Sequence, residues 1–151
     1  MPDGDLFLGS WELIPELSLY EFGPLPASCT YEISEHDERV HVCMRWAMSA
    51  DGPESRTEFA GPGDGSRQRL PGSGEPPPEP VSFSLTRVDE RTLESRAFRG
   101  DHVFAFARRV ASTDGELLAI VQEGESPEGS RFRNFQVYRR LPVSAPGSSM
   151  D

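Results

Sequence analysis

The sequence contains no lysine: all fifteen of its basic residues are arginine. We read that absence as the codon usage of a GC-rich genome rather than as function. Positive charge is also scarce. Fifteen Arg face 25 Asp and Glu, a formal net charge of -10. Nucleic acids and anionic membrane surfaces are bound by basic patches, so neither is an expected partner. Long apolar runs are missing. Hydrophobic residues make up 36% of the chain, and no run approaches the ~18 residues of a membrane span, so membrane insertion is not expected. Residues 1–10 have neither a basic start nor a long apolar stretch, which argues against a secretory signal and for a cytoplasmic location. Cysteine is limited to Cys29 and Cys43. That rules out a disulfide scaffold, and in the cytoplasm both are expected as free thiols. The composition likewise excludes a coiled coil and a collagen-like chain.

What is present is punctuation. Fourteen glycines and fourteen prolines divide 151 residues, a length suited to one domain with one core. Between them apolar residues alternate with polar ones, the β-strand period. Strands are expected over 6–14, 29–35, 39–48, 54–60, 67–70, 81–88, 91–99, 102–111, 116–123 and 130–141, with a helical turn at 16–19. Short connections join nearly all of them. The expected fold is therefore all-β, an antiparallel up-and-down β-barrel of about ten strands, since closure removes exposed sheet edges. The barrel is assigned to 6–141, with tails at 1–5 and 142–151. The segment GSGEPPPEP at 72–80 should be an exposed, semi-extended loop.

Hairpin registers decide which side chains face inward. A two-residue turn at Asp37-Glu38 pairs Ile33 with Val42, Tyr31 with Met44 and Cys29 with Trp46 on one face. Cys43 falls on the other, so the cysteines cannot bridge. A turn at Gly100-Asp101 pairs Ala97 with Phe104 and Ser95 with Phe106. A turn ending at Gly115 pairs Val110 with Leu118, Arg108 with Ile120 and Phe106 with Gln122. The last strand then turns Phe132, Asn134, Gln136 and Tyr138 inward. A one-residue slip would instead turn Arg109 inward and leave Arg108 in solvent. A buried Arg costs several kcal/mol unless paired or wetted, and no acid is expected beside it. The interior thus reads as a cavity with an apolar wall (Tyr31, Met44, Trp46, Phe83, Phe106) and a polar cluster (Arg108, Asn134, Gln136, Tyr138). The same apolar residues could equally be plain core.

No Ser/His/Asp or Cys/His constellation emerges. His36 and His102 flank turns and His41 lies on the polar face. His41 and Cys43 share a strand face, but no third ligand is near, so no metal site is expected. GPGDG at 61–65 lacks the following helix that a phosphate cradle needs. No cofactor is expected.

The opening FLGSWEL (7–13) resembles the Gly-x-Trp first strand of the calycin superfamily, which holds lipocalins and intracellular fatty-acid-binding proteins. Most of the chain is similar to small bacterial lipocalin-like proteins. The stretches that carry this are GSWEL, Ser18 and Tyr20 with FGPLP after them, LTRVDERTLES, RRVASTDGELL and NFQVYRR. The likeness speaks to fold and little to chemistry. It implies that Trp11 packs at the barrel base against Arg139 or Arg140. In fatty-acid-binding proteins an Arg on the eighth strand and an Arg-x-Tyr pair on the tenth hold the ligand carboxylate. By resemblance Arg108 takes the first place, and Gln136 with Tyr138 the second, with Gln in place of Arg. Gln also suits a hydroxyl or carbonyl. The paired lid helices of that family have no room in 15–26.

The first functional expectation is binding of a small hydrophobic or amphipathic molecule inside the barrel. The alternative is a cofactor-independent cyclase or isomerase acting on a hydrophobic natural-product intermediate, which needs shape and excluded water rather than a nucleophile. A third reading is a scaffold with a packed interior. Nothing in the sequence encodes an oligomeric state.

Overall fold

The hairpin of Ser28–His36 and Arg39–Ala47 turns at Asp37 and Glu38, with φ of 54° and 64°. Two successive left-handed residues define the type I′ turn, whose twist matches that of the flanking strands. The register is the expected one: Ile33 opposes Val42, Tyr31 opposes Met44 and Cys29 opposes Trp46. Cys29 is buried, Cys43 lies on the opposite face, and both are free.

The computed structural model describes residues 5–69, 81–126 and 128–142. In chain order the strands are β1 (Gly9–Leu13), β2 (Leu19–Tyr20), β3 (Ser28–His36), β4 (Arg39–Ala47), β5 (Glu54–Gly61), β6 (Asp64–Arg69), β7 (Val81–Asp89), β8 (Thr92–Arg99), β9 (His102–Ala111), β10 (Leu117–Glu125) and β11 (Arg131–Arg140). They form one antiparallel sheet in the order β5-β4-β3-β1-β11-β10-β9-β8-β7-β6. Because β1 pairs with both β3 and β11, the ladder joins the two ends of the chain. The sheet curls into a nearly closed barrel. Its seam lies between β5 and β6, the two ends of the ladder, which are connected only by Pro62 and Gly63.

The expected strand at 6–14 is shortened to β1, and beyond it, where a helical turn was expected at 16–19, a 3-10 turn and the short β2 follow along β11. Pro15 opens a 3-10 turn, Pro15–Leu17, since it fixes φ and donates no N–H. Ser18 Oγ donates to Ile14 O (2.9 Å) and accepts from Val137 N (3.1 Å), which resets the chain onto β11. Tyr20 then pairs with Asn134. Three of the expected segments lie wholly or largely outside the described residues: the loop at 72–80, the tail at 1–5 and the tail at 142–151. Asp5 is described, and its carboxylate holds Arg87 at 2.8 Å.

One end of the barrel is filled. Trp11, Phe7, Ile33, Leu85, Leu93 and Leu118 are almost fully buried there. Trp11 Nε1 donates to Phe7 O (3.0 Å), and the Arg140 guanidinium stacks 4.2 Å from the Trp11 ring. Arg140 also donates to the carbonyls of Leu6, Leu8 and Gly115, so this base is a closed plug. Gly9 is required beneath it: its φ is 130°, and a Cβ would lie 2.3 Å from Arg140 Nη1. Of the two expected partners of Trp11, Arg140 is the one; Arg139 pairs with Glu12 on the outside.

The β8–β9 hairpin departs from expectation. Its tip is as read, with Arg99 opposite His102. A β-bulge then inserts one residue: Phe98 opposes Val103, but Ala97 opposes Ala105. From there on every β9 side chain is turned to the other face. Ala105, Ala107, Arg109 and Ala111 share the inner face with Ser95 and Ala97. Phe106 and Arg108 face outward. The β9–β10 ladder follows, with Ala111 opposite Leu118, Arg109 opposite Ile120 and Ala107 opposite Gln122. Outward Phe side chains are tolerable here because arginines cover them. Arg96 lies 4.8 Å above Phe106, Arg99 4.4 Å from Phe104 and Arg67 3.9 Å from Phe98. Each such contact stabilises by about 0.5–1 kcal/mol at exposed sites.

Candidate functional site

The bulge puts small side chains where large ones were expected, and space results. A hollow of about 230 Å³ is bounded by Ala97, Ala105, Ala107, Phe59, Phe83 and Arg109. A second hollow of about 240 Å³ adjoins it toward Tyr20, Trp46, Gln136 and Tyr138. Tyr31, Met44 and Gln122 border both. Pro24, Pro26 and Met48 line the outer end of the second hollow. Gln122 is solvent-exposed although its strand neighbours place it on the inner face, so the lumen opens to water on that side.

Arg109 is the charged group of the interior, 2% exposed. Its Nη1 donates to Ser95 Oγ (3.1 Å), and its Nε is buried without a hydrogen-bond partner. The guanidinium carbon lies 5.7 Å from the Tyr31 ring centre and 6.0 Å from that of Phe59. Among the described residues no carboxylate pairs with it. Arg108 has the opposite situation: its Nε donates to Glu94 Oε2 (2.7 Å) on the outer face, where Glu94 also meets Arg96.

The second hollow has a hydrogen-bonded chain along its wall. The Tyr138 hydroxyl donates to Gln136 Oε1 (2.7 Å) and lies 3.3 Å from Cys29 Sγ. Gln136 Nε2 in turn donates to the Tyr20 hydroxyl oxygen. Burial pushes the Tyr138 phenol far above its ordinary range, with Tyr31 and Cys29 adding to the effect. Burial also raises Tyr20, partly opposed by the bond from Gln136. The Cys29 thiol is raised by burial, partly opposed by its contact with Tyr138. All three groups are therefore neutral at physiological pH.

Of the residues singled out from the sequence, Tyr31, Met44, Trp46, Phe83, Gln136 and Tyr138 line the hollows. Arg108 is corrected to the outer face by the bulge; the Phe106 ring turns outward under Arg96, yet the residue still borders the first hollow. Asn134 faces inward, but its Oδ1 accepts from the N–H groups of Glu21 (2.8 Å) and Phe22 (3.2 Å), and its Nδ2 donates to Phe22 O (3.1 Å). It fastens the chain after β2. Sequence reasoning missed Tyr20 and Phe59, and the alanines Ala105 and Ala107. Arg109 was recognised only as the outcome of a one-residue slip. The signal for that slip was the row of small residues in FAFARRVA, which marks a hollow face. On the outer wall the His36 and His41 rings lie 5.3 Å apart. Among the described residues no three His, Cys, Asp or Glu side chains are grouped to hold a metal ion.

No protein-family model matches the chain. No curated protein matches it in sequence. Solved structures do. A structure titled REP1-NXSQ fatty acid transporter superposes with a TM-score of 0.55 at 11% identity, covering 91% of this chain and 97% of that one. Zebrafish ileal bile acid-binding protein, complexed with cholic acid, gives 0.54 at 11% identity, covering 90% and 99%. Secretory abundant heat soluble protein 4 from Ramazzottius varieornatus gives 0.51 at 14% identity, covering 94% and 99%. At such identities the likeness concerns fold alone: the chain shares the nearly closed antiparallel barrel of these structures. No helix among the described residues is long and apolar enough to cross a membrane.

Proposed function

We propose that the protein binds a small amphipathic acid in its lumen, with Arg109 as the contact for the acid group. The observation that supports this is the buried Arg109 guanidinium, whose Nε lacks a partner at the edge of an apolar hollow. An uncompensated buried cation costs several kcal/mol. A ligand carboxylate would supply the missing charge, with two parallel N–H···O bonds to the guanidinium fork. Tyr31, Met44, Phe59 and Phe83 would cover the apolar part, at roughly 25 cal/mol per Å² removed from water. Two of the structural neighbours are named for a fatty acid and a bile acid, which agrees with a guest of this kind. The stretches GSWEL and NFQVYRR favour a lipocalin-like relative of bacterial origin, and the free thiols favour a reducing, cytoplasmic setting.

The test compares Arg109→Leu with Arg108→Leu, using tryptophan fluorescence and melting temperature with fatty acids and bile acids. Arg108→Leu should keep affinity. Arg109→Leu should weaken acids at least tenfold, while raising or preserving the stability of the empty protein, because it removes a buried unpaired charge. Equal affinity in both variants would refute the assignment. The cyclase or isomerase alternative predicts a chemically altered ligand. Mass spectrometry of ligand recovered after incubation separates it from binding, which returns the ligand unchanged.

A further inference from the structure

The hydrogen bonds of the second hollow have a direction. The Tyr138 proton goes to Gln136 Oε1, which fixes the Gln136 amide with its nitrogen toward Tyr20. The Tyr20 oxygen is therefore an acceptor for Gln136, and its own O–H must point elsewhere. Among the described residues nothing accepts it. The Tyr20 side chain borders the second hollow, and burial keeps the phenol protonated. The wall thus ends in a donor without an acceptor, across Tyr31 and Met44 from the guanidinium of Arg109.

We infer that the ligand is a bifunctional amphipathic acid, whose chain carries a hydroxyl or keto oxygen that accepts a hydrogen bond from Tyr20 while its carboxylate meets Arg109. This rests on the lumen binding proposed above and adds a second recognition point to it. A plain hydrocarbon tail in the second hollow would leave the Tyr20 O–H unpaired, which is unfavourable. An oxygen at that depth completes the chain from Tyr138 to the ligand. Selectivity then comes from the penalty on tails that lack it.

The experiment titrates the protein with hexadecanoic acid and with hexadecanoic acids bearing a hydroxyl or a keto group at successive carbons. At least one oxygenated acid should bind roughly fivefold tighter than the plain acid, the worth of one net hydrogen bond. In Tyr20→Phe that preference should vanish, because the oxygenated acid loses its donor and the plain acid no longer leaves a phenol O–H unpaired. As a second readout on the parent protein, the infrared carbonyl band of the bound keto acid should shift to lower frequency. It should return to the position of a free ketone in Tyr20→Phe. The inference is overturned if no oxygenated acid outperforms the plain one, or if the preference survives in Tyr20→Phe. Binding of the plain acid that depends on Arg109 but shows no oxygen preference refutes the Tyr20 contact alone. Absence of binding by every acid removes both readings.

Discussion

Asn134 projects from β11 on the same side as Gln136 and Tyr138, yet three hydrogen bonds to Glu21 and Phe22 occupy its amide. Its neighbour Arg133 adds to the joint, with its N–H donating to Glu21 Oε1 at 2.7 Å. Truncating the amide would leave backbone groups without their partners in a half-buried place. Asn134→Ala should therefore cost about 1–3 kcal/mol. In a domain of this size each kcal/mol lowers Tm by about 2–4 °C. Hydrogen exchange should show the amides of Glu21 and Phe22 losing protection first. Gln136 differs because its partners are side chains bordering a hollow, and Arg109 differs further because one of its donors has no partner at all. The polar groups of the interior thus divide into one that holds the chain, a relay, and one with spare capacity.

At the level of elements, β9 decides what the barrel contains. With the bulge, alanines face the lumen and phenylalanines face the arginines outside. Without it, Phe104 and Phe106 would occupy the space. Filling that space deliberately is informative. Ala107→Leu should abolish ligand binding while leaving Tm equal or higher, since the added methyl groups enter an open hollow rather than a packed core. A calorimetric titration with a melting curve on the same sample checks both halves. The contrast between β3–β4 and β8–β9 explains what the sequence reveals. In β3–β4 Cys, Tyr and Ile alternate with Thr, Glu and Ser, so only one register hides the apolar set. In β9 the run VFAFA is apolar on both faces, so alternation alone does not choose between a lumen of phenylalanines and a lumen of alanines. The tip of the hairpin was legible from Gly100-Asp101, and the strand beyond it was not. Tyr20 was hidden for another reason: the 3-10 turn at Pro15 breaks the alternation that would have turned it inward. Trp11 and Arg140, by contrast, were legible through resemblance to the Gly-x-Trp first strand.

For the molecule as a whole, rigidity and vacancy lie at opposite ends. Trp11, Phe7 and Arg140 close one end with bonds from Arg140 to three carbonyls, and the hollows occupy the other. Substitutions at Gly9 or Trp11 should lower stability with little direct effect on ligand choice, whereas changes at Arg109 or Tyr20 should do the reverse. The ladder order carries one more consequence. Sequence neighbours pair all along it except at β2, which pairs with β11, at the chain ends, which β1 and β11 bring side by side, and at Pro62 and Gly63 between β5 and β6. A circularly permuted gene, with a linker joining the old ends and the new ones placed between Pro62 and Gly63, would cut no ladder pairing. Such a protein should melt within a few degrees of its parent, and its strands, β2 apart, would then follow one another in space in the order they are translated.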